Sequence, residues 1–516
     1  MSKRISYKLL CFFVFLFASK ISWAYSIYIY SDAVLLPTSI LKGKTATAYY
    51  VVYNNTSEIK KANYVRYLPP NVTQVVKGGV FKNTCGAYFD LDTLDNRYCI
   101  LQLTITGAVD SNDPEPSHHL MVCQGESDCS GVDDKKDELN VIEGKANELA
   151  RVAVVNEHTG SPSAFIKPVA YTSTDGGIGW TPHNIAGSAG LIRAVTCKGN
   201  NGQSCVAVGD AYVDDGRAAI FYAYTSTDGG VNWTSHSLGR YWGAAGLSAV
   251  TCNGSNGEFC VAVGGYTSAS QTSLAPIIYT SRDGGINWTS HFPVNQGKSA
   301  LRAVSCSEDG QYCTAVGDFN FGTRFISYTS TDGGITWAPH VMGGGAPVSI
   351  LKAVTCNGMN GQRCIAVGYT GENKPVIYLS ENGGVNWKSF GSQKLVGVPK
   401  AITCNKENNQ NCMMVGSFYD KYTPIVYTTS NGGISWELHY VYGVYNFRSF
   451  ESVACDSKGR SCTITGYALT SNKITPIIYR TINNGNHWVG RSSFANENDP
   501  VQNIEYVGIS VSTSSE

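Results

Sequence analysis

Residues 224–233 read YTSTDGGVNW. An Asp beside two glycines is turn chemistry: the carboxylate accepts from nearby backbone N–H groups, the glycines take up positive φ, and the Trp anchors the returning strand. The segment recurs as YTSTDGGIGW ending at Trp180, YTSRDGGINW at Trp288, YTSTDGGITW at Trp337, YLSENGGVNW at Trp387, YTTSNGGISW at Trp436 and YRTINNGNHW at Trp488. These seven copies are about fifty residues apart, a period that builds one four-stranded blade after another around a common axis. The predicted fold is all-β, a seven-bladed β-propeller.

A second repeat lies between the first. LIRAVTC, a polar loop and CVAVG surround Cys197 and Cys205, which is the pattern of two strands joined by a hairpin. The pair recurs as Cys252 with Cys260, Cys306 with Cys313, Cys356 with Cys364, Cys404 with Cys412, and Cys455 with Cys462. Each pair is expected to form a disulfide, one hairpin staple in six of the seven blades; zinc is a poor alternative, with two thiols per loop and no helper histidine. The first unit starts at 151–155, equivalent to a second strand, and lacks a first strand and its cysteines. Residues 502–511 follow Trp488 at the distance where other units place their first strand, so the C-terminus is expected to complete blade one and remove an open sheet edge.

The turn motif resembles the Asp-box, or BNR repeat, Ser-x-Asp-x-Gly-x-x-Trp, of sialidases, sortilin-type receptors, xyloglucanases and photosystem II assembly factors. The resemblance covers residues 151–512 and implies the propeller fold; in those families the box is a structural turn remote from the chemistry. Asp175, Asp228, Asp283 and Asp332 are accordingly read as turn caps, one per blade around the rim, too dispersed for the carboxylate pair of a glycosidase.

The N-terminus carries Lys3, Arg4 and Lys8, an apolar run over 9–18, and the small-residue site Ser22-Trp23-Ala24. That is the pattern of a secretory signal peptide, its apolar core about half the length a membrane span needs. The predicted division is 1–24 signal peptide, 25–145 a disulfide-containing β-domain, and 146–516 the propeller. Seventeen cysteines less Cys11 of the leader leave sixteen, an even number suited to an oxidising compartment, secreted or periplasmic. Lys plus Arg total 39 and Asp plus Glu 39, so the overall field gives no pull toward nucleic acid or an anionic membrane. A monomer without cofactor is the expectation.

Between 25 and 142 the fifty-residue period is absent. Leu101, Leu103 and Ile105 alternate with Gln102 and Thr104, as in a half-buried strand, and a small β-sandwich is expected. This segment resembles the N-terminal segments of exported bacterial propeller proteins. Its four cysteines allow three pairings, of which proximity favours Cys85 with Cys99 and Cys123 with Cys129.

Three residue sets are candidates for function. Five histidines, His183, His236, His291, His340 and His439, stand three residues after a box Trp. One per blade on the outermost strand, they point apart, and a repeated surface or inter-blade contact is preferred to a metal site. The face opposite the box turns should carry Asp210, Asp214, Asp215 and Arg217; Arg240, Tyr241 and Trp242; Asp318 and Arg324; Asp420 and Tyr422; and Tyr440, Tyr442, Tyr445 and Arg448. Aromatic rings beside arginines suit a sugar or a peptide, and Arg217, Arg240, Tyr241, Trp242, Arg324, Tyr442 and Arg448 are the ligand-binding candidates. Finally, Arg193, Arg302, Lys352 and Lys400 share one position in the first-strand motif, with Ser248 and Glu451 in the other two blades. They are either a basic funnel in the channel for a carboxylate or other anion, or stems that snorkel between blades and pair with loop carboxylates, the second being preferred.

No nucleotide-binding glycine loop, nucleophile elbow or zinc-protease motif is present. The sequence departs from sialidases in lacking the Phe/Tyr-Arg-Ile-Pro motif, in having seven units for six, and in its cysteine hairpins. The favoured function is an exported binding or scaffold module holding a glycan or protein partner, without catalysis; a sialidase-like glycoside hydrolase and an extracytoplasmic assembly factor are the alternatives.

Overall fold

The repeats fold into antiparallel sheets because each supplies four short β-rich runs separated by turn residues. The computed structural model describes residues 26–31, 36–37, 39–41, 43, 45–77, 83–93, 96–132, 137–144, 151–158, 166–173, 180–185, 190–198, 202–214, 217–243, 246–267, 274–293, 299–319, 324–343, 350–390, 395–405, 409–418, 423–439, 447–456, 459, 461–470, 473–481, 489–492 and 503–511. Blade two is typical. Strands Leu191–Lys198, Ser204–Val213, Ala218–Ser226 and Thr234–Trp242 pair in sequence order, the first innermost. Blades three to seven begin with innermost strands Gly246–Asn253, Ser299–Cys306, Ile350–Asn357, Val398–Cys404 and Phe447–Cys455.

Blade one is assembled from both ends of the repeat region. Arg151–His158, Ile166–Ser173 and Thr181–Asn184 are joined by Asn503–Val511, which pairs antiparallel to Arg151–His158 and supplies the innermost strand. Each innermost strand then lies against the next, from blade two round to Asn503–Val511 and back to Leu191–Lys198, so the ring of seven closes.

Apolar burial lies chiefly between blades. Val208 and Phe221 of blade two pack with Leu247, Ile277 and Tyr279 of blade three, and equivalent clusters fill the other junctions. Second strands are covered on both faces, which is why they read as unbroken apolar runs such as Val206, Ala207 and Val208.

The box turns lock these junctions. In blade three the Asp283 Oδ1 accepts from the N–H groups of Ile286 (3.1 Å) and Asn287 (2.9 Å), the Gly285 N–H donates to Ser281 Oγ (2.9 Å), and Trp288 Nε1 donates to the Gly285 carbonyl (2.7 Å). Gly285 has φ of 89°, and a Cβ there would lie 2.9 Å from Val206 Cγ2 of blade two. Two requirements therefore coincide on one glycine: left-handed backbone, and room for the preceding blade. The same bonding pattern holds the turns at Asp228 and Asp332, with Trp233 and Trp337 buried; Asn382 and Asn431 replace the Asp in the turns of Trp387 and Trp436. Asp175 and Trp488 lie outside the described residues, and Trp180 is half-buried.

Six blades carry the hairpin disulfide, each between residues directly opposite in the first and second strands: Cys197–Cys205, Cys252–Cys260, Cys306–Cys313, Cys356–Cys364, Cys404–Cys412 and Cys455–Cys462. Blade one has Arg151 in register where the others have the second cysteine. This guanidinium is buried, donates to Ser461 Oγ at 3.5 Å, and is pushed down to about 10 by burial, opposed by Asp456 of blade seven.

Before the ring, the sheet Ile27–Tyr30, Ala46–Asn54, Tyr98–Ile105, Val72–Gln74 packs on the sheet Phe89–Leu91, Lys60–Tyr67, Met121–Gln124, Asp128–Gly131 around one core containing Tyr50, Leu101, Leu91 and Val122. This is the expected small sandwich. Its disulfides are Cys85–Cys99 and Cys123–Cys129. Eight disulfides in one chain indicate an extracellular or otherwise oxidising compartment. Among the described residues no helix is long and apolar enough to cross a membrane.

Candidate functional site

Box turns and disulfide hairpins share one face of the ring; the loops leaving the second strands and entering the first strands form the opposite, upper face. Among the described residues, blade two has the longest fourth strand. Its fourth strand spans nine residues, against three in blades three, five and six. Leu238 is bulged out of its pairing and Gly239 has φ of 147°, after which the strand continues so that Arg240, Tyr241 and Trp242 pair with Ile220, Ala219 and Ala218.

The strand alternation divides these three candidates. Tyr241 stacks on Phe221 with ring centroids 4.6 Å apart, its hydroxyl meets that of Tyr279 of blade three, and Tyr266 stands 5.3 Å away. Burial raises the pKa of both Tyr241 and Tyr279. Tyr241 is thus a packing residue of the blade two–three junction. Arg240 and Trp242 face the other way: the guanidinium lies 5.0 Å from the Trp242 ring centroid and is ion-paired with Asp214, while Trp242 is 49 % exposed. Phe292, 57 % exposed, extends the aromatic rim into blade three by an edge contact with Tyr266.

Arg217 is exposed at the same loop, its carbonyl accepting from the Gly243 N–H at 2.7 Å. Arg324 is exposed at the upper end of blade four, so blade three separates it from Arg240. Asp215, Asp420, Tyr422, Tyr440, Tyr442 and Tyr445 lie outside the described residues, as does the side chain of Arg448, whose backbone is in the innermost strand of blade seven. The described candidates therefore form one patch on blade two, with Arg324 apart from it.

The histidines turn inward to their own blades. Thr172, Thr225, Thr280, Thr329 and Thr428, each the second residue of a box, bond through Oγ1 to Nε2 of His183, His236, His291, His340 and His439 at 2.6 to 2.9 Å. They brace the third strand against the fourth, a contact within a blade where a surface or inter-blade contact was expected. Burial holds His183, His291, His340 and His439 below the usual imidazole range.

The basic column has a structural cause that its sequence spacing does not reveal. Each innermost strand bulges at one register position, and the residues there are Arg193, Ser248, Arg302, Lys352, Lys400, Glu451 and, in blade one, Val507. Opposite the bulge, blades two to seven have a glycine whose added Cβ would meet a first-strand carbonyl at 1.9 to 2.1 Å: Gly209, Gly264, Gly317, Gly368, Gly416 and Gly466. The invariant Gly of CVAVG makes room for the bulge. Most of the column is paired: Arg193 with buried Asp210 (3.2 Å), Arg302 with Asp318 (2.7 Å) and Lys400 with Glu451 (3.6 Å). The carboxylates come from second strands and a neighbouring first strand rather than from loops.

A cleft of about 360 Å³ on the disulfide face, lined by Lys198, Asn253, Ser307, Glu308 and Asn357, had no place in the sequence expectations. Its signal was the run of polar residues immediately after each first cysteine of a pair.

The ring is an Asp-box β-propeller. Residues 328–339, the turn of blade four, match the BNR/Asp-box repeat. No curated protein matches the chain. Solved structures similar to the propeller include YCF48 from Cyanidioschyzon merolae, at 12% identity over 60% of this chain and 92% of that one, TM-score 0.35. The alpha-L-arabinanase of Penicillium chrysogenum, complexed with arabinobiose, shares 16% identity over 52% and 84%, TM-score 0.37. Sqt1 of Chaetomium thermophilum, bound to the N-terminus of ribosomal protein L10, shares 13% over 66% and 87%, TM-score 0.41.

Proposed function

We propose that the protein is an exported binding module, carried out by its leader at 1–24, that holds a glycan on the upper edge of blade two. The observation that carries this reading is the Arg240–Trp242 pair. A half-exposed indole with a guanidinium against it, fixed by Asp214 on a strand extended for the purpose, is a rigid platform on which a sugar ring stacks while the arginine donates to its hydroxyls. Arg217 is exposed at the same upper loop. The role needs no catalytic group.

The test is a glycan array probed with oxidised protein beside a panel of fluorogenic glycosides including a sialoside. Binding without turnover, reduced at least tenfold in Trp242→Ala and unaffected in Phe390→Ala on blade five, is the expected result. Turnover abolished by Arg240→Ala would replace the reading with a glycoside hydrolase. Silence on both arms would remove the glycan and leave a protein partner.

A further inference from the structure

The channel column does not balance its charge. Arg193, Arg302 and Lys400 each have a carboxylate partner, but Lys352, the residue between Arg302 and Lys400 in ring order, has no ion pair among the described residues. Its innermost strand packs between those of Arg302 and Lys400, and all three stand at the equivalent bulge. Three ion pairs cancel and one ammonium is left over. Arg302 engages Asp318 only through Nε, and its other N–H groups have no partner among the described residues.

We propose that Lys352, flanked by Arg302 and Lys400, is the binding site for a single ligand carboxylate inside the central channel. The charge count sets the ligand class. One negative charge neutralises the column, whereas a phosphate dianion would leave an excess facing Asp318 and Glu451. Burial sets the driving force. Lys352 is pulled below the ordinary lysine range by desolvation and then by Lys400 and Arg302, with Glu451 and Asp318 opposing; a bound carboxylate relieves that repulsion where water is scarce. The site lies near the upper mouth, because the bulge falls within the first few residues of strands that run from the upper face to the disulfide hairpins. A sugar acid and a peptide C-terminus present the same group. The proposal does not depend on the aromatic edge of blade two.

The experiment is isothermal titration of the full oxidised protein with glucuronate against glucose, and with N-acetyl-Ala-Ala against its C-terminal amide, with inorganic phosphate as a third arm. At least one free carboxylate should bind at least tenfold more tightly than its neutral counterpart, and more weakly as salt is raised. Lys352→Met, which keeps the aliphatic stem, should cost at least tenfold; Lys352→Arg should restore binding, and Phe390→Ala on blade five should leave it unchanged. Glucuronate alone binding assigns a sugar acid, the free peptide alone assigns a C-terminus, and both together assign the carboxylate in general. The proposal is overturned if neither acid outbinds its neutral partner, if phosphate outbinds both, or if folded Lys352→Met binds like wild type. Should Lys352→Met fail to fold, the wild-type comparison of acid with neutral partner decides alone.

Discussion

Replacing Gly264 by Ala isolates the bulge geometry in blade three, where the column residue is Ser248 and no ion pair is disturbed. Gly264 lacks positive φ, so substitution there would ordinarily stabilise by about 0.4–1 kcal/mol through the unfolded chain. The structure reverses that sign. A Cβ would sit 2.1 Å from the Gly246 carbonyl oxygen and 2.9 Å from Leu247 Cα, both backbone atoms that cannot rotate away. The first strand must retreat by about an ångström, straining the pairing of Leu247 with Gly264 at the ring's inner wall. Overpacking of this kind costs about 1–3 kcal/mol and a weakened ladder bond about 1 more. A loss of roughly 2–4 kcal/mol in a propeller of about 360 residues lowers Tm by about 3–5 °C. Scanning calorimetry of Gly264→Ala against Gly284→Ala measures it. Gly284 has φ of 74° and its nearest neighbour atom 4.0 Å from an added Cβ, so it reports the strain of left-handed backbone alone, about 1–2 kcal/mol. A Tm for Gly264→Ala at or above wild type would refute the claim that the glycine exists to admit the bulge.

Two further outcomes follow from the same structure. His183, His291, His340 and His439 have folded pKa values below the unfolded 6.5, so the unfolded chain binds more protons just below that pH. Their contribution is complete above about pH 6.5 and lost as pH falls through the folded values, and a Tm series from pH 7.5 to 5 should decline more steeply for wild type than for a variant with all four changed to Gln. Removing one staple, as Cys252→Ser with Cys260→Ser, opens a loop of separation 8 and should cost about 2.5 kcal/mol in the chain-entropy estimate, read as a lowered denaturation midpoint with the ring still closed.

The local rules were legible in the sequence because they involve residues close together in the chain. Asp283, Gly284, Gly285 and Trp288 specify one turn, and Cys252 with Cys260 one hairpin, from within ten residues each. Repetition at a fixed period then gave the blade number, and counting strands gave a C-terminal strand for blade one. What a side chain faces was a different matter. Tyr241 and Trp242 are adjacent and equally aromatic, yet strand alternation after the Leu238 bulge buries one against Phe221 and leaves the other half-exposed. The five histidines looked like a ring, but each is satisfied by the Thr of its own box, a diagonal cross-strand contact that depends on register. Spacing placed Arg193, Arg302, Lys352 and Lys400 in one column; only the closed ring decides that Lys352 stands between two cations and that the carboxylates nearby are already taken, because those partners come from other strands and other blades.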